Sequence, residues 1–317
     1  MERNFSGVRV VVTGGAGFIG SHLVRRLVEQ QAQVLVLTER TRHERLAGIL
    51  PLDAIRTVAF SDAVAAQKHI IDFKPEYVFS LEAKIIRGND PRVFEEFVTG
   101  HVHHIWNILH GAQAAHVKRV IHLGTIDEYG RLPAPFSETD RENPQNLYAL
   151  TKLFGTRTVM YAAHALGLPA TVIRPSLTYG PSQHAGMLVT NTIEACLAGT
   201  AFPMTAGDQT RDFLYVDDLV DGMLAVAVNE PCIGEIINLG SGTQTPVKEV
   251  VERINTLCGN RAVIQFGAEP YRPDENMEYW LQIQKAERLC GYAPRVTLAE
   301  GLSRTVAARK ALRHPIQ

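Results

Sequence analysis

Apolar positions along the first 175 residues follow two alternating rhythms. A short β-branched run, Val8, Val10, Val11 and Val12, predicts a buried strand. It breaks at Thr13 into a loop carrying Gly14, Gly15, Gly17 and Gly20, and Ile19, Leu23, Val24, Leu27 and Val28 then fall at helical spacing. Similar runs predict strands at Gln33–Leu37, Ile55–Phe60, Tyr77–Leu81, Arg119–Leu123 and Ala170–Ile173. Helical stretches lie between them, around Ala63–Asp72, Pro91–Ala115 and Asn146–Leu166. Strands and helices in alternation predict an α/β fold built on a doubly wound parallel sheet, covered on both faces. Beyond Pro175 the rhythm changes, and Gly180, Pro181, Gly199, Pro203, Gly207, Pro246, Pro270 and Pro273 punctuate shorter elements. One later run, Gly234–Gly240, predicts a further strand returning to the sheet.

Strand, glycine turn and helix in that order offer backbone N–H groups and a helix N-terminus to a diphosphate. Gly14 allows the tight turn, Gly17 lets the backbone approach a pyrophosphate, and Gly20 lets helix and strand pack closely. A plain strand-to-helix turn is the bland alternative, but both flanks carry the right period. The sheet is therefore expected to be of Rossmann type, with Gly14, Gly17, Phe18, Ile19 and Gly20 as cofactor-binding candidates. The expected division is a dinucleotide-binding domain over residues 1–174. A smaller, mixed and partly interleaved substrate-binding domain would occupy 175–317.

Tyr148 and Lys152 stand at i and i+4 in the sequence Tyr-Ala-Leu-Thr-Lys, on one face of a predicted helix. A phenol ordinarily titrates at about 10, too high for acid–base work at neutral pH. A nearby ammonium favours the phenolate and is expected to lower it. Thr125 follows the fifth strand, at the carboxyl edge where ligands bind in such sheets. It is placed to hydrogen-bond a substrate oxygen, or else to cap a local turn. Asp127 and Glu128 read on their own as solvated turn carboxylates.

The net charge is −1 over 317 residues, which points away from nucleic acid and anionic membranes as partners. Four well-spaced cysteines, Cys196, Cys232, Cys258 and Cys290, form no metal-binding pattern and read as free thiols. No apolar run approaches a membrane span and the N-terminus lacks a signal-peptide pattern, so a cytoplasmic location is expected.

Taken together, the motifs resemble those of the extended short-chain dehydrogenase/reductases that act on nucleotide sugars. The matching stretches are TGGAGFIG at Thr13–Gly20, Thr125 with Tyr129–Gly130, and YALTK at Tyr148–Lys152. The match continues through IRPSLTYGP at Ile173–Pro181, TRDFLYVDDLVDG at Thr210–Gly222, INLGSG at Ile237–Gly242 and KAERLCGYAP at Lys285–Pro294. The resemblance implies hydride transfer, with Tyr148 as acid/base, Lys152 lowering its pKa and holding the cofactor ribose, and Thr125 polarising a carbonyl. It also implies that Arg211 and Arg272 clamp the substrate diphosphate, and it suggests a homodimer packed through the predicted helices near 92–115 and 146–166.

Ile126 stands where 4,6-dehydratases of this family carry the first of two acids, which argues against that reaction type. Thr-x-acid-Glu-Tyr-Gly looks more like nucleotide-sugar 4-ketoreductases such as GDP-4-keto-6-deoxymannose reductase, and an acid at Asp127 also suits decarboxylases and some epimerases. At the end of the second strand Thr38 replaces the carboxylate of NAD-preferring relatives, and Arg40 and Arg42 follow. That set favours NADPH, with Glu39 as the counterweight that keeps NADH or NAD open. The expected activity is NADPH-dependent reduction of a nucleotide-linked 4-keto-6-deoxy sugar. The alternatives are an NAD-dependent nucleotide-sugar 4-epimerase and a non-catalytic NADP-binding sensor. Two departures stand out: Ser80-Leu81-Glu82-Ala83 replaces the family's His-Leu-Ala-Ala, and His101-Val102-His103-His104-Ile105 replaces Asn-Val-x-Gly-Thr. The three histidines read as surface or interface residues, and a buried Glu82 would need a partner.

Overall fold

The computed structural model describes residues 4–39, 43–51, 54–58, 62–83, 90–273 and 275–313. Its main sheet contains β1 (Arg9–Thr13), β2 (Gln33–Thr38), β3 (Ile55–Thr57), β4 (Tyr77–Ser80), β5 (Arg119–Leu123) and β6 (Ala170–Pro175). Helices α1 (Phe18–Glu29), α2 (Ala63–Phe73), α3 (Phe94–Val98), α4 (His104–Ala114) and α5 (Leu147–Ala165) alternate with them. Short β7 (Leu177–Tyr179), α6 (Leu188–Ala198), β8 (Ala201–Met204), β9 (Thr210–Arg211), β10 (Phe213–Tyr215) and α7 (Val216–Val228) follow. The chain ends with β11 (Ile236–Leu239), β12 (Thr245–Pro246), α8 (Val247–Leu257), β13 (Val263–Phe266), β14 (Glu278–Tyr279), α9 (Gln284–Cys290) and α10 (Leu298–Arg313).

Seven strands run in the order β11-β6-β5-β4-β1-β2-β3, and every pairing within that sheet is parallel. The order reverses between β1 and β4, and the crevice outside their carboxyl ends is where such a sheet takes a ligand. β1 shows why the sheet is covered twice. Val10 and Val12 join the core against α1 and α7, and Val11 joins the core against α2 and α4.

The doubly wound parallel sheet is as expected, and three details differ. The third strand is shorter than Ile55–Phe60, and Phe60 lies outside the described residues. The helix expected over Pro91–Ala115 is interrupted: a 3₁₀ turn at Pro91–Val93 leads into α3, and a π turn at Thr99–His103 separates α3 from α4. Helix α5 keeps its expected start because Asn146 caps it, its side chain accepting from the Ala149 N–H at 2.8 Å.

Beyond Pro175 the chain divides between two places. β11 pairs with β6 in register Ile236↔Val172, and α7 and α9 pack on the core beneath β1. The remaining helices α6, α8 and α10 enclose a separate apolar core with β10.

Gly20 shows how tightly the first turn is built. A Cβ there would lie 2.3 Å from the Gly14 carbonyl oxygen and 2.7 Å from Gly15 Cα, both backbone atoms that cannot swing aside. Gly20→Ala is therefore expected to lower stability by about 2 kcal/mol or more; a urea midpoint within error of the native one would contradict this packing.

Candidate active site

The glycine turn forms one wall of the crevice. Gly14 has φ +68°, in the left-handed region, and its carbonyl accepts from the Gly17 N–H at 2.8 Å. Gly17 is the N-cap of α1 and no side chain caps that helix, so its first-turn N–H groups face the crevice as donors. A Cβ at Gly17 would come within 3.0 Å of Gly14 O, and one at Gly15 within 2.8 Å of Val36. Only a side-chain-free turn fits here, and such a turn fits a dinucleotide diphosphate. Thr38 ends β2 and is buried, and Glu39 is exposed. Arg40 and Arg42 lie outside the described residues.

Thr125, Tyr148 and Lys152 come together at the carboxyl end of β5. Of the two roles considered for Thr125, the structure shows the local cap. Its hydroxyl oxygen accepts from the Asp127 N–H at 3.2 Å, capping a 3₁₀ turn at Ile126–Glu128, and its hydroxyl donates to Asp127 Oδ2 at 3.3 Å while standing beside the Tyr148 phenol. One turn along α5, Lys152 is buried and its ammonium donates to the Leu123 carbonyl. Burial pushes the Lys152 pKa down to about 8, against the opposing pull of Glu128.

The Tyr148 phenol departs from expectation. Burial raises its pKa first, then the charges of Asp127 and Glu128, and only the Thr125 hydrogen bond pulls it back. In the protein alone Lys152 does not lower it, because the ammonium is turned to a main-chain carbonyl.

Glu128 is not a solvated turn residue. It is fully buried and accepts from the Thr125 N–H at 2.9 Å, the Thr156 hydroxyl at 3.0 Å and Arg174 Nε at 2.9 Å. Arg174 is equally buried, also reaches Glu142 at 2.7 Å, and lies 4.5 Å above the Tyr129 ring. Tyr129 in turn donates to Asn238 of β11 at 2.8 Å, so the returning strand is bonded to the turn that carries Thr125.

Asp127 is half-buried. It accepts from the Tyr279 hydroxyl at 2.5 Å, and the Arg211 guanidinium lies 5.6 Å from the Tyr279 ring centre. Arg211 pairs with Glu275, while its neighbour Asp212 turns inward to Ser241, so the two adjacent residues form no ion pair with each other. Arg211 and Arg272 line one cavity of about 480 Å³ with Leu177, Phe202 and Met204. Tyr279 and Glu275 escaped sequence reading because they sit in a loosely patterned stretch where no spacing marks them.

The histidines also require correction. His101 and His104 are buried, and only His103 is exposed. His101 bonds Thr151 at 2.9 Å and packs edge-on to the Tyr148 ring, 5.6 Å between centres. His104 bonds Glu82 at 2.7 Å, which supplies the partner that a buried Glu82 needs. All four cysteines are free and buried, as expected of thiols. Among the described residues no His, Cys, Asp or Glu cluster suits a metal, and no helix is long and apolar enough to cross a membrane.

Comparison with known proteins agrees with this geometry. The family model described as "NAD dependent epimerase/dehydratase family" matches residues 10–240, and the chain belongs to that family. It is similar to the UDP-glucose 4-epimerase of Mycolicibacterium smegmatis, with 32% identity covering 94% of this chain and 97% of the relative. Among solved structures it resembles Epimerase Mth375 from Methanothermobacter thermautotrophicus, with a TM-score of 0.89, 30% identity, and coverage of 98% and 95% of the two chains. The UDP-glucuronic acid 4-epimerase of Bacillus cereus, solved with UDP-glucuronic acid and NAD, aligns with a TM-score of 0.84 at 26% identity over 96% of this chain and all of that one.

Two outcomes follow. Arg174→Met leaves Glu128 buried without its countercharge, and denaturant unfolding should show a loss of about 3–5 kcal/mol. Lys152 has a folded pKa of about 8 against 10.5 for the free side chain, so the folded state binds fewer protons between those values. Its burial penalty is complete below pH 8 and fades as pH rises toward 10.5. The stability of the native protein relative to Lys152→Met should therefore improve by about 3 kcal/mol across that window; a flat difference would show that the ammonium is not desolvated.

Proposed function

We propose that this protein is a nucleotide-sugar 4-epimerase that inverts the C4 hydroxyl of a nucleoside-diphosphate hexose, with residues 1–174 receiving the dinucleotide and 175–317 the sugar nucleotide. The observation that carries this reading is the convergence of Thr125, Tyr148 and Lys152 while Ile126, 2% exposed, packs away with Tyr129 and Phe136. Oxidation and reduction at a carbinol are provided for, and the first acid of an elimination is missing. Relatives matched over nearly the whole chain include both 4-epimerases and dTDP-glucose 4,6-dehydratases, and the apolar Ile126 favours the former.

Gly14, Gly17, Phe18, Ile19 and Gly20 would hold the dinucleotide diphosphate, and Lys152 the ribose. A bound nicotinamide would supply the reversible hydride acceptor, and inversion requires that the hydride come back to the opposite face of the C4 ketone. Tyr148 would act as its phenolate, which needs the Lys152 ammonium turned from the Leu123 carbonyl toward it; it takes the hydroxyl proton as the C4 ketone forms and gives it back as the alcohol is restored. Thr125 hydrogen-bonds the same oxygen, and Lys152 opposes the charge on the phenolate. Arg211 and Arg272 grip the diphosphate, for which the guanidinium fork is suited. The leucine, phenylalanine and methionine beside them give an apolar seat of a size that suits a nucleoside. Asp127, held by Tyr279, faces the sugar. A homodimer through α4 and α5 fits the exposure of Phe154 and Tyr161 on α5.

A second reading keeps the same residues and makes the enzyme an NADPH-dependent 4-ketoreductase. Thr38 at the end of β2, where a carboxylate would bind the ribose 2′-hydroxyl of NAD, favours it.

The purified protein should be incubated with UDP-glucose and UDP-galactose and followed by NMR, and separately with NADPH and 4-keto-6-deoxy sugars on GDP, dTDP and UDP. Inversion at C4 with no net change in nicotinamide absorbance is expected, with Tyr148→Phe slower by about 10² or more. Consumption of NADPH without inversion would replace the epimerase by the reductase. Silence in both assays would overturn both.

A further inference from the structure

The strand β4 ends at Ser80, and the chain then crosses the point where the sheet order reverses. Leu81 N–H is still bonded to the Thr13 carbonyl at 3.3 Å, which holds the next residue, Glu82, against the glycine turn. A Cβ on Gly14 would lie 2.9 Å from Glu82 Cγ, 3.0 Å from its backbone nitrogen and 3.1 Å from its Cα. The Glu82 side chain is 6% exposed and His104, the first residue of α4, is 2% exposed. Their 2.7 Å hydrogen bond runs from the end of β4 to the start of α4.

The placement is chemically unusual. A carboxylate adds negative charge beside a turn shaped for a diphosphate, and a buried carboxylate that loses a donor is costly. The family motifs that this chain resembles carry Ala in place of Glu82 and Gly in place of His104. In this chain both positions carry polar side chains, and the two are hydrogen-bonded to each other.

We propose that Glu82 and His104 act as one positioning element of the dinucleotide crevice, so that cofactor affinity depends on the pair and not on either residue alone. The imidazole holds the carboxylate away from the phosphate-binding N–H groups, so the carboxylate is tolerated beside the Gly14 turn only while its donor is present. This inference rests on the reading of the crevice as a dinucleotide site.

The test is calorimetric binding of NAD⁺ and NADPH, with UDP as a second ligand for the separate cavity of Arg211 and Arg272. His104→Met, which keeps bulk and removes the donor, should weaken dinucleotide binding about tenfold or more. His104→Gln, which keeps a donor, should stay within about threefold, as should the double variant Glu82→Ala/His104→Gly. UDP affinity should stay constant throughout, which a general loss of structure would not allow. Native-like dinucleotide affinity in His104→Met, a double variant no better than His104→Gly alone, or a parallel loss of UDP binding would each overturn the proposal. Failure of the native protein to bind either dinucleotide would overturn the crevice reading and this inference with it; uncoupled variants of a protein that does bind would overturn the inference alone.

Discussion

The site depends on two opposite charges taken fully out of water. Glu128 and Arg174 have no exposed surface, and burying either alone would cost several kcal/mol. Their attraction is helped by further contacts: Glu128 also takes the Thr125 amide and the Thr156 hydroxyl, and Arg174 also takes Glu142 and lies over the Tyr129 ring, although its buried Nη1 has no hydrogen-bond partner among the described residues. Three elements meet at this pair, namely the turn after β5, helix α5 through Thr156, and β6 through Arg174. Tyr148 and Lys152 stand on the same helix as Thr156. The ion pair therefore sets the separation between the Thr125 turn and the Tyr148 helix, which proton transfer requires to be within hydrogen-bonding reach.

What could be read from the chain beforehand follows from the range of each force. The strands of the sheet were legible because fully buried parallel strands are continuous apolar runs, and β5 and β6 are buried along their whole length. The glycine turn was legible because the steric demand lies within seven residues. Tyr148 and Lys152 were legible as a pair because helical spacing alone puts them on one face. The returning strand was legible as a strand, but the Tyr129–Asn238 bond that anchors it spans 109 residues and has no local sign.

The same reasoning accounts for the misreadings. Glu128 looked solvated because a carboxylate in a turn ordinarily is, and the arginine that buries it lies 46 residues on. His101 and His104 looked like surface residues because imidazoles are polar. The π turn at Thr99–His103 rotates this part of the chain so that both rings point inward, one against Tyr148 and one onto Glu82. Glu82 looked like an anomaly for the same reason: its partner is on another element. Buried polar groups are legible only in pairs, and no local pattern says which pairs will form.

The charges around Tyr148 show why the Tyr–Lys spacing alone underdetermines its chemistry. Asp127 and Glu128 both disfavour the phenolate, but each is partly answered, Glu128 by Arg174 and Asp127 by the Tyr279 hydroxyl with Arg211 beyond it. Lys152, with its pKa near 8, is mostly an ammonium at neutral pH, yet it is committed to the Leu123 carbonyl. Forming the phenolate would stabilise the ammonium, and turning the ammonium away from Leu123 would stabilise the phenolate. Two groups coupled in this way titrate together. On the proposed mechanism, any pKa read from the pH dependence of turnover therefore belongs to the pair. Substitutions at Glu128 or Asp127 would move it through their charge alone.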